Sequence, residues 1–387
     1  MASDQRLSIT VHDNLENLER LRPEWDALLE AYPLSTTFSS YEWLVPWWHA
    51  FGDKDHLQVL AFRDASSALV GLTAMAITAR PAFAGSLRVL RLMGDGSHDS
   101  DNLDMPVHLG FEDAVCTALL DWMDTNSKLW DVCELNTLPA ESAVGTRIVP
   151  ELEKRGWKQY QSTRPQTLVE LAETWETHLK GISAKERGKI GIRGRKLEKT
   201  YQVTIRRCEQ ESEIDPALQA LFELHGKHWA LRGLPGTLHS PARQKFYGEL
   251  ARLLLARNRL QFWILELNKK ITAAQFGLRH GRTVFSLQEG FDPEYAADSV
   301  GYVLRSQVLK QIISEGVRRY DFLGGTDDSK LRWGGEVKHY VNLRFARPTS
   351  RGSFYLATEQ KTSETKKWMR TNLPGAWKKI KGVLGKT

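Results

Sequence analysis

The strongest constraint on the fold is a run of apolar, strand-like segments in the second half of the chain. These segments span residues 260–267, 271–279 and 283–290. A helical segment over residues 301–315 and a strand over residues 319–323 follow them, and the first half has the same order between residues 57 and 155. Short apolar runs bounded by turn residues are typical of strands. The pattern predicts an α+β protein with two copies of one layout.

We predict three parts of the chain from where this pattern begins, repeats and fades. The first copy occupies residues 1–165 and the second copy residues 166–348. A basic, amphipathic tail covers residues 349–387, where nine basic and two acidic residues account for the whole positive net charge of the chain. A basic segment that carries tryptophans suits an anionic membrane surface. The alternative is a solvated chain end.

Composition excludes several classes of protein. Hydrophobic residues make up 41% of the 387 residues, which is enough for a folded core. Three widely spaced cysteines favour neither a disulfide framework nor a metal knuckle. The first residues lack a basic patch followed by an apolar run, and no apolar stretch reaches the ~18 residues of a membrane span. We therefore expect a cytoplasmic protein, with membrane association through the tail left open.

The most informative stretch runs from residue 285 to residue 333. Ser299 and Gly301 begin a helix, where unpaired backbone amides favour bound phosphate. Asp321 ends the next strand, and Lys330 and Arg332 add positive charge after a glycine pair. The pattern indicates an anion-binding cleft. An ordinary helix cap followed by solvated charges remains the alternative.

The motifs of this stretch, taken in order, resemble a known family. They are Asp292-Pro293-Glu294-Tyr295, Ser299-Val300-Gly301, Gly316, Asp321-Phe322-Leu323-Gly324-Gly325 and Lys330-Leu331-Arg332-Trp333. Residues 38–43 and Gly94 with Asp101 and Asp104 match the companion segment in the first half. Over about residues 15–347 the chain resembles the CelD-type GNAT-like acyltransferases of bacterial cellulose and exopolysaccharide gene clusters, which are distant relatives of Fem-type peptidyltransferases.

This resemblance implies two tandem GNAT-like domains, each with a mixed central sheet flanked by helices. It implies transfer of an acyl group, with acetyl-CoA as the expected donor, to an amine or hydroxyl of a sugar, glycan precursor or amino-acid-like acceptor. The donor diphosphate would lie on the amides of Val300, Gly301 and Tyr302 beside Ser299. Lys330 and Arg332 would add positive charge, and no metal is implied.

The chain departs from the usual GNAT phosphate loop, because residues 296–301 offer one glycine and include Asp298. Fem-type relatives use aminoacyl-tRNA, and the basic block over residues 180–207 suits an RNA donor. The alternatives are therefore a tRNA-dependent transferase and a non-catalytic accessory protein of polysaccharide synthesis. The local distribution of charge does not suggest binding to DNA.

Acyl transfer requires a base and a place for the acceptor. Candidate catalytic residues are Glu289, Asp321 and His225, and Asp292 and Asp327 are further candidate bases. His225 and His228 have metal-ligand spacing, but no third ligand is evident, so we predict no metal site.

The acceptor site is predicted from polar and aromatic residues of both halves. Asp101 and Asp104 are expected to bind a polar acceptor, and Tyr41 and Trp43 to stack on a sugar ring, with Gln275 contributing from the meander. A solvated acidic loop and core packing of the aromatic residues are the alternatives.

Overall fold

Strands and helices alternate along the chain as the apolar pattern predicts. The computed structural model describes residues 6–82, 85–97, 99–231, 233, 236 and 238–373. The helices are α1 (Leu15–Ala31), α2 (Tyr41–Phe51), α3 (Glu112–Thr125), α4 (Ala143–Lys154), α5 (Trp175–Gly181), α6 (Ala184–Thr200), α7 (Ile214–Ala230), α8 (Pro241–Ala256), α9 (Val300–Ser314), α10 (Asp328–Leu331) and α11 (Arg351–Asn372). The strands are β1 (Ser8–His12), β2 (His56–Arg63), β3 (Leu69–Ala82), β4 (Gly85–Leu92), β5 (Val132–Pro139), β6 (Lys158–Glu170), β7 (Val203–Arg207), β8 (Leu260–Leu267), β9 (Lys270–His280), β10 (Thr283–Phe291), β11 (Arg319–Gly324) and β12 (Glu336–Ala346).

The strands of the described residues form one mixed sheet. Their order is β1-β2-β3-β4-β5-β12-β6-β11-β10-β9-β8-β7. In each half an antiparallel meander ends in a parallel pair, β4 with β5 and β10 with β11. The two halves therefore have the same strand arrangement and meet at the centre of the sheet.

The last strand of each half lies beside the other half. β6 follows the first half along the chain but pairs with β11, and β12 follows the second half but pairs with β5. β6 and β12 pair with each other from Glu336–Leu168 to Ala346–Lys158. The predicted domain boundary between residues 165 and 166 falls inside β6. The shared sheet joins the two halves there, and the division into two domains stays a prediction.

Alternating side chains divide the second half of the sheet into two faces. On β8, Phe262 and Ile264 belong to a core that runs through both halves, whereas Trp263 and Leu265 belong to a second core that also contains α9 residues. The first core includes the buried residues of α7 and α8. We call the first side of the sheet the shared face and the second the α9 face.

Local differences from the predicted elements have physical causes. The sequence of residues 175–199 alone favours one continuous basic helix, but Ser183 caps a new helix by accepting from the Glu186 amide, so α5 and α6 are separate. The apolar residues of 103–107 favour a strand when the sequence is taken alone, but they form a loop with an isolated bridge from Val107 to Gly71. β6 was not predicted, because its sequence is polar and contains Pro165.

Gly290 on β10 fixes how closely α7 approaches the sheet. An added Cβ would lie 2.8 Å from the His225 amide nitrogen and 2.9 Å from Leu224 Cβ. We expect Gly290→Ala to lower the free energy of unfolding by about 1–3 kcal/mol, as overpacking does in a close-packed core. Gly188→Ala on α6 is the matched control, since nothing lies within 4 Å of its added Cβ. Denaturant unfolding measures both, and equal stability of the two variants would contradict the close packing of α7.

Within the described ranges, no helix combines the length and the apolar character that crossing a bilayer requires.

Candidate active site

The centre of the candidate site is a gap in the sheet. The parallel strands β10 and β11 pair only at Thr283–Arg319, Val284–Tyr320 and Phe285–Asp321. Beyond that point β10 contains a register shift against β9 between Ser286 and Gln288. β11 contains one against β6 between Asp321 and Gly324, with Leu323 at φ 60°. β10 thus pairs irregularly with β9, and β11 with β6, at the point where β10 and β11 separate from each other after their third residue pair.

A pocket of about 280 Å³ lies at this gap. Its walls come from β9 and β10, the first turn of α9, Phe322 on β11, and residues of α6 and of the segment after β11. The lining residues include Arg193, Gln275, Glu289, Phe291, Ser299, Val300, Gly301, Tyr302, Arg305, Phe322, Arg332 and Trp333. The pocket therefore unites Glu289, Gln275 and five of the six predicted donor-binding residues.

The first turn of α9 presents backbone amides to the pocket. Ser299 precedes the helix in the left-handed region, at φ 58° and ψ 40°, and its side chain makes no capping hydrogen bond. The structure therefore does not contain an ordinary serine cap, which was the alternative interpretation of Ser299. The amides of Val300, Gly301 and Tyr302 remain donors at the positive end of the helix dipole.

The carboxylate that precedes this turn is compensated. Asp298 Oδ1 lies 3.1 Å from Lys196 Nζ, and Asp298 Oδ2 accepts from the Tyr201 hydroxyl at 3.0 Å. Both partners come from the second half's basic helix α6 and the residue that ends it. The negative charge of Asp298 is thus offset before an anion approaches α9.

Aromatic rings and guanidinium groups form one wall of the pocket. The Tyr302 and Trp333 rings have centroids 4.7 Å apart, and the Arg193 guanidinium lies 4.5 Å from the centre of the Tyr302 ring. The Tyr302 hydroxyl donates to the Glu186 carboxylate at 3.1 Å. Arg332 lines the same pocket and donates to the Asp328 carbonyl at 2.9 Å. This wall offers flat apolar surface and positive charge together.

Arg305 is a site residue that the sequence analysis missed. It is 5% exposed, pairs with Glu289, and donates to the Tyr320 hydroxyl at 3.1 Å. Gln275 donates to the same hydroxyl, and burial lowers the pKa of Arg305. An arginine among the mostly apolar residues on the inward side of α9 was the available signal.

Asp321 lies on the shared face, at the last residue pair before the gap. Tyr320 and Phe322 on either side of it belong to the core under α9. Its Oδ1 accepts from the Leu323 amide at 2.7 Å, and its Oδ2 is 3.4 Å from Asn102 Nδ2. Burial raises the pKa of Asp321 to about 7, and the nearby Asp101 carboxylate acts in the same direction. A carboxyl group of this pKa is partly ionised at neutral pH.

The acidic loop of the first half reaches the same region and is buried rather than solvated. Asp101 accepts from Arg164 Nη1 at 3.2 Å and from the Gly324 amide at 3.1 Å. Asp99 accepts from the Tyr247 hydroxyl, which in turn accepts from Gln288 Nε2 on β10. The loop therefore contacts β11 directly and is linked to β10 through the Tyr247 hydroxyl.

The other predicted acceptor residues have packing roles. Asp104 accepts from the Tyr32 hydroxyl at 2.7 Å and from Ser142 at 2.6 Å, and burial raises the pKa of Asp104 to about 6. Trp43 is fully buried, and Tyr41 is 9% exposed. The expected stacking of Trp43 and Tyr41 on a sugar is therefore replaced by core packing, because a bound ring would have to open the core.

The remaining predicted residues lie outside the lining of the pocket. His225 on α7 accepts from Trp229 Nε1 at 2.8 Å. Asp292 binds Lys227 and Lys270, and Asp327 caps α10, so both carboxylates have lowered pKa values despite the opposing effect of burial.

Lys330 instead donates to the carbonyl oxygens of Phe322 and Gly324 and stabilises the end of β11. Among the described residues, no group of three or more histidine, cysteine or carboxylate residues is placed to hold a metal ion. The side chain of His228 lies outside the described part of the chain.

Comparison with known proteins agrees with this geometry. Residues 184–331 match the family model of the acetyltransferase (GNAT) domain. No curated protein sequence matches the chain. The crystal structure of FemX is similar with a TM-score of 0.60 at 11% identity, over 87% of this chain and 96% of that one. A conserved protein of unknown function from Bacteroides thetaiotaomicron has a TM-score of 0.54 at 14% identity, over 88% and 100% of the two chains.

At such identities the structural likeness shows the fold alone, and the domain match adds the chemistry. The matched residues include α6, the meander, α9 and β11, which are the elements that form the pocket. An enzyme is thus supported over a non-catalytic accessory protein. The chain has a mixed α+β, GNAT-like fold, carries an acetyltransferase (GNAT) domain over residues 184–331, and is an acyltransferase.

Proposed function

We propose that the chain transfers an acyl group from acyl-CoA, with acetyl-CoA as the first candidate, to an amine or hydroxyl acceptor. The observation that carries this proposal is the gap between β10 and β11, which opens directly beside the uncapped first turn of α9. A diphosphate on the α9 amides would leave the acyl end of the donor free to enter the gap. The sheet then separates the donor on the α9 face from the acceptor on the shared face everywhere except at the gap.

Charge around the pocket supports an anionic donor despite the single glycine of the phosphate loop. Arg193 and Arg332 line the pocket, and Asp298 is compensated by Lys196 and Tyr201. The Tyr302 and Trp333 rings offer a surface for the apolar part of the donor.

In the proposed reaction, Asp321 is the general base. The acceptor approaches from the shared face, and its nitrogen or oxygen attacks the thioester carbonyl through the gap. The bond between the carbonyl carbon and sulfur breaks, the thiolate of CoA leaves, and the acceptor proton passes to the Asp321 carboxylate. Glu289 is the less favoured base, because Arg305 pairs with it.

A sugar, glycan precursor or amino-acid-like molecule is the proposed acceptor class. The CelD-type assignment and a role in exopolysaccharide or cellulose synthesis stay predictions from the family resemblance.

Aminoacyl-tRNA is the alternative donor, and one observation favours it. Helix α6 buries only Leu197 and exposes most of its basic residues beside the pocket, as an RNA backbone requires. The fold likeness to FemX is compatible with either donor. A direct comparison of acyl-CoA binding with aminoacyl-tRNA binding at physiological salt separates the two donors.

Gly301→Val tests the placement of the donor. Valine adds methyl groups toward Phe291, which lines the same pocket, and we expect acetyl-CoA affinity to fall at least about tenfold, or ~1.4 kcal/mol. Gly301→Ala is the matched control, because its added Cβ lies 3.4 Å from Phe291 Cδ1, an ordinary contact. Isothermal titration measures both.

Unchanged affinity in Gly301→Val would move the donor to another site. Wild-type protein that binds aminoacyl-tRNA but no acyl-CoA would reject the proposed donor and favour the alternative.

A further inference from the structure

Arg305 links the two strands that separate at the gap. Its guanidinium donates to the Tyr320 hydroxyl on β11 at 3.1 Å and pairs with Glu289 on β10. Tyr320 and Phe322 belong to the core under α9, whereas Asp321 between them lies on the shared face. The guanidinium and the proposed base therefore lie at the same gap but on opposite faces of the sheet.

Within the described residues, most N–H groups of Arg305 lack a protein partner. Its hydrogen-bond partners there are Tyr320 and Glu289, and they take two of the five N–H groups that an arginine offers. Arg305 is nonetheless only 5% exposed, and it lines the donor pocket. A buried charge that its protein neighbours satisfy only in part is typical of a group that meets a ligand.

The charge of Arg305 is only weakly neutralised by its surroundings. The Glu289 side chain is 59% exposed, so solvent screens its carboxylate, while the guanidinium itself is buried. Asp327 and Lys330, in the segment after β11, also act on Arg305, but with opposite signs. Arg305 therefore presents positive charge to the part of the pocket at the gap, where it would stabilise an anionic group.

We propose that Arg305 is a catalytic residue that stabilises the thiolate of CoA as this group leaves. The inference rests on the proposed acyl-CoA donor. When the acceptor attacks through the gap, the bond between the carbonyl carbon and sulfur breaks, its electron pair stays on sulfur, and the acceptor proton passes to Asp321. Negative charge therefore develops on the α9 face, where the guanidinium N–H groups are already in place. Glu289 is then a positioning residue that holds Arg305 at the gap.

The affinity of the protein for the leaving group tests this role without any turnover. Isothermal titration compares CoA with desulfo-CoA, in which hydrogen replaces the thiol group, at pH 7 and at pH 9. A neighbouring guanidinium lowers the pKa of a thiol, so CoA should bind about 3- to 20-fold more tightly at pH 9 than at pH 7, relative to desulfo-CoA. Desulfo-CoA has no thiol to ionise, so its affinity reports how the rest of the site responds to pH.

Arg305→Met should remove this effect of the thiol, because methionine fills the buried position without a charge. The Tyr320 hydroxyl keeps Gln275 as a partner and Glu289 stays exposed to solvent, so the fold should persist, which circular dichroism checks. The affinity for desulfo-CoA should stay within about twofold of wild type. The turnover number should fall about 10²- to 10³-fold, as it does when one group that stabilises developing negative charge is lost.

Arg193→Met is the matched control, since it removes a guanidinium of the same pocket that lies over the Tyr302 ring. It should weaken the binding of CoA and desulfo-CoA by the same factor at both pH values and leave the effect of the thiol unchanged. Equal responses of the two compounds to pH in the wild-type protein would overturn the role of Arg305, as would a thiol effect that persists in Arg305→Met. If neither compound binds, acyl-CoA is not the donor, and this role is rejected together with the proposed function.

Discussion

Replacing Asp321 with asparagine is expected to lower the turnover number for acyl transfer at pH 8 by about 10²- to 10⁴-fold, the range typical of a lost general base. The affinity for acetyl-CoA should stay within about twofold of wild type, because Asp321 lies on the shared face and does not line the donor pocket. Asparagine can still accept a hydrogen bond from the Leu323 amide, so the local turn should persist. Turnover and donor binding are measured on the same preparations.

The pH profile gives this prediction a direction. A base must be ionised, and burial raises the pKa of Asp321 to about 7. Wild-type turnover should therefore rise with pH through about 7 and level off above it.

Protonation of Asp321 favours the folded state, so the free energy of unfolding should decrease as pH rises from about 4 to about 7. Asp321→Asn should abolish this limb of the rate profile and also make the protein more resistant to unfolding at pH 8 than wild type.

Glu289→Gln distinguishes the two candidate bases of the site. We expect a smaller loss of turnover from it, because Glu289 is held by Arg305. If Glu289→Gln abolished turnover while Asp321→Asn retained both the rate and the pH profile, the assignment of Asp321 would be wrong. The stability measurement separates loss of the base from loss of the fold, since the two predict opposite changes at pH 8.

Local sequence patterns predicted most of the helices and strands. The meander of the second half, α9 and β11 were predicted to within a few residues, because each has its own period of apolar residues. Ser299, Gly301 and Arg332 line one pocket, as expected from a helix start and a strand end that meet at the same sheet edge, while the binding of an anion there stays a prediction. Features that depend on local periodicity could thus be predicted without the structure.

Contacts between distant segments could not be predicted in the same way. The burial of Asp101 depends on Arg164 and on the Gly324 amide, which no local pattern connects with it. The role of Arg305 required knowing which side of α9 faces the sheet. Trp43 and Tyr41 were expected to meet a ligand, but an aromatic residue at helical spacing has the same sequence signature whether it packs or binds.

The exchange of β6 and β12 between the halves leads to the second large expected effect. A fragment of residues 1–155 contains β1 to β5 and α4 but lacks β12, which pairs with β5. We expect this fragment to fail to fold alone. Leu343 and Phe345 of β12 are fully buried in the core that contains first-half residues. Their burial contributes about 1.5–3 kcal/mol each, and with the lost strand pairing this approaches the total stability of a typical domain.

Mixing the two parts of the chain should restore the fold. Residues 156–387 supply both β6 and β12, so the two fragments should associate into a complex with the circular dichroism spectrum and the single unfolding transition of the intact chain. A fusion of residues 1–155 to residues 335–372 through a flexible linker is the matched control, because it returns β12 to β5 without β6. Cooperative unfolding of residues 1–155 alone, at the temperature of the fusion, would mean that the first half is an independent domain. If that fragment fails to fold and the fusion folds, the first half folds only with the strand that the second half supplies. The acidic loop beside the active site then depends on β12, near the far end of the chain.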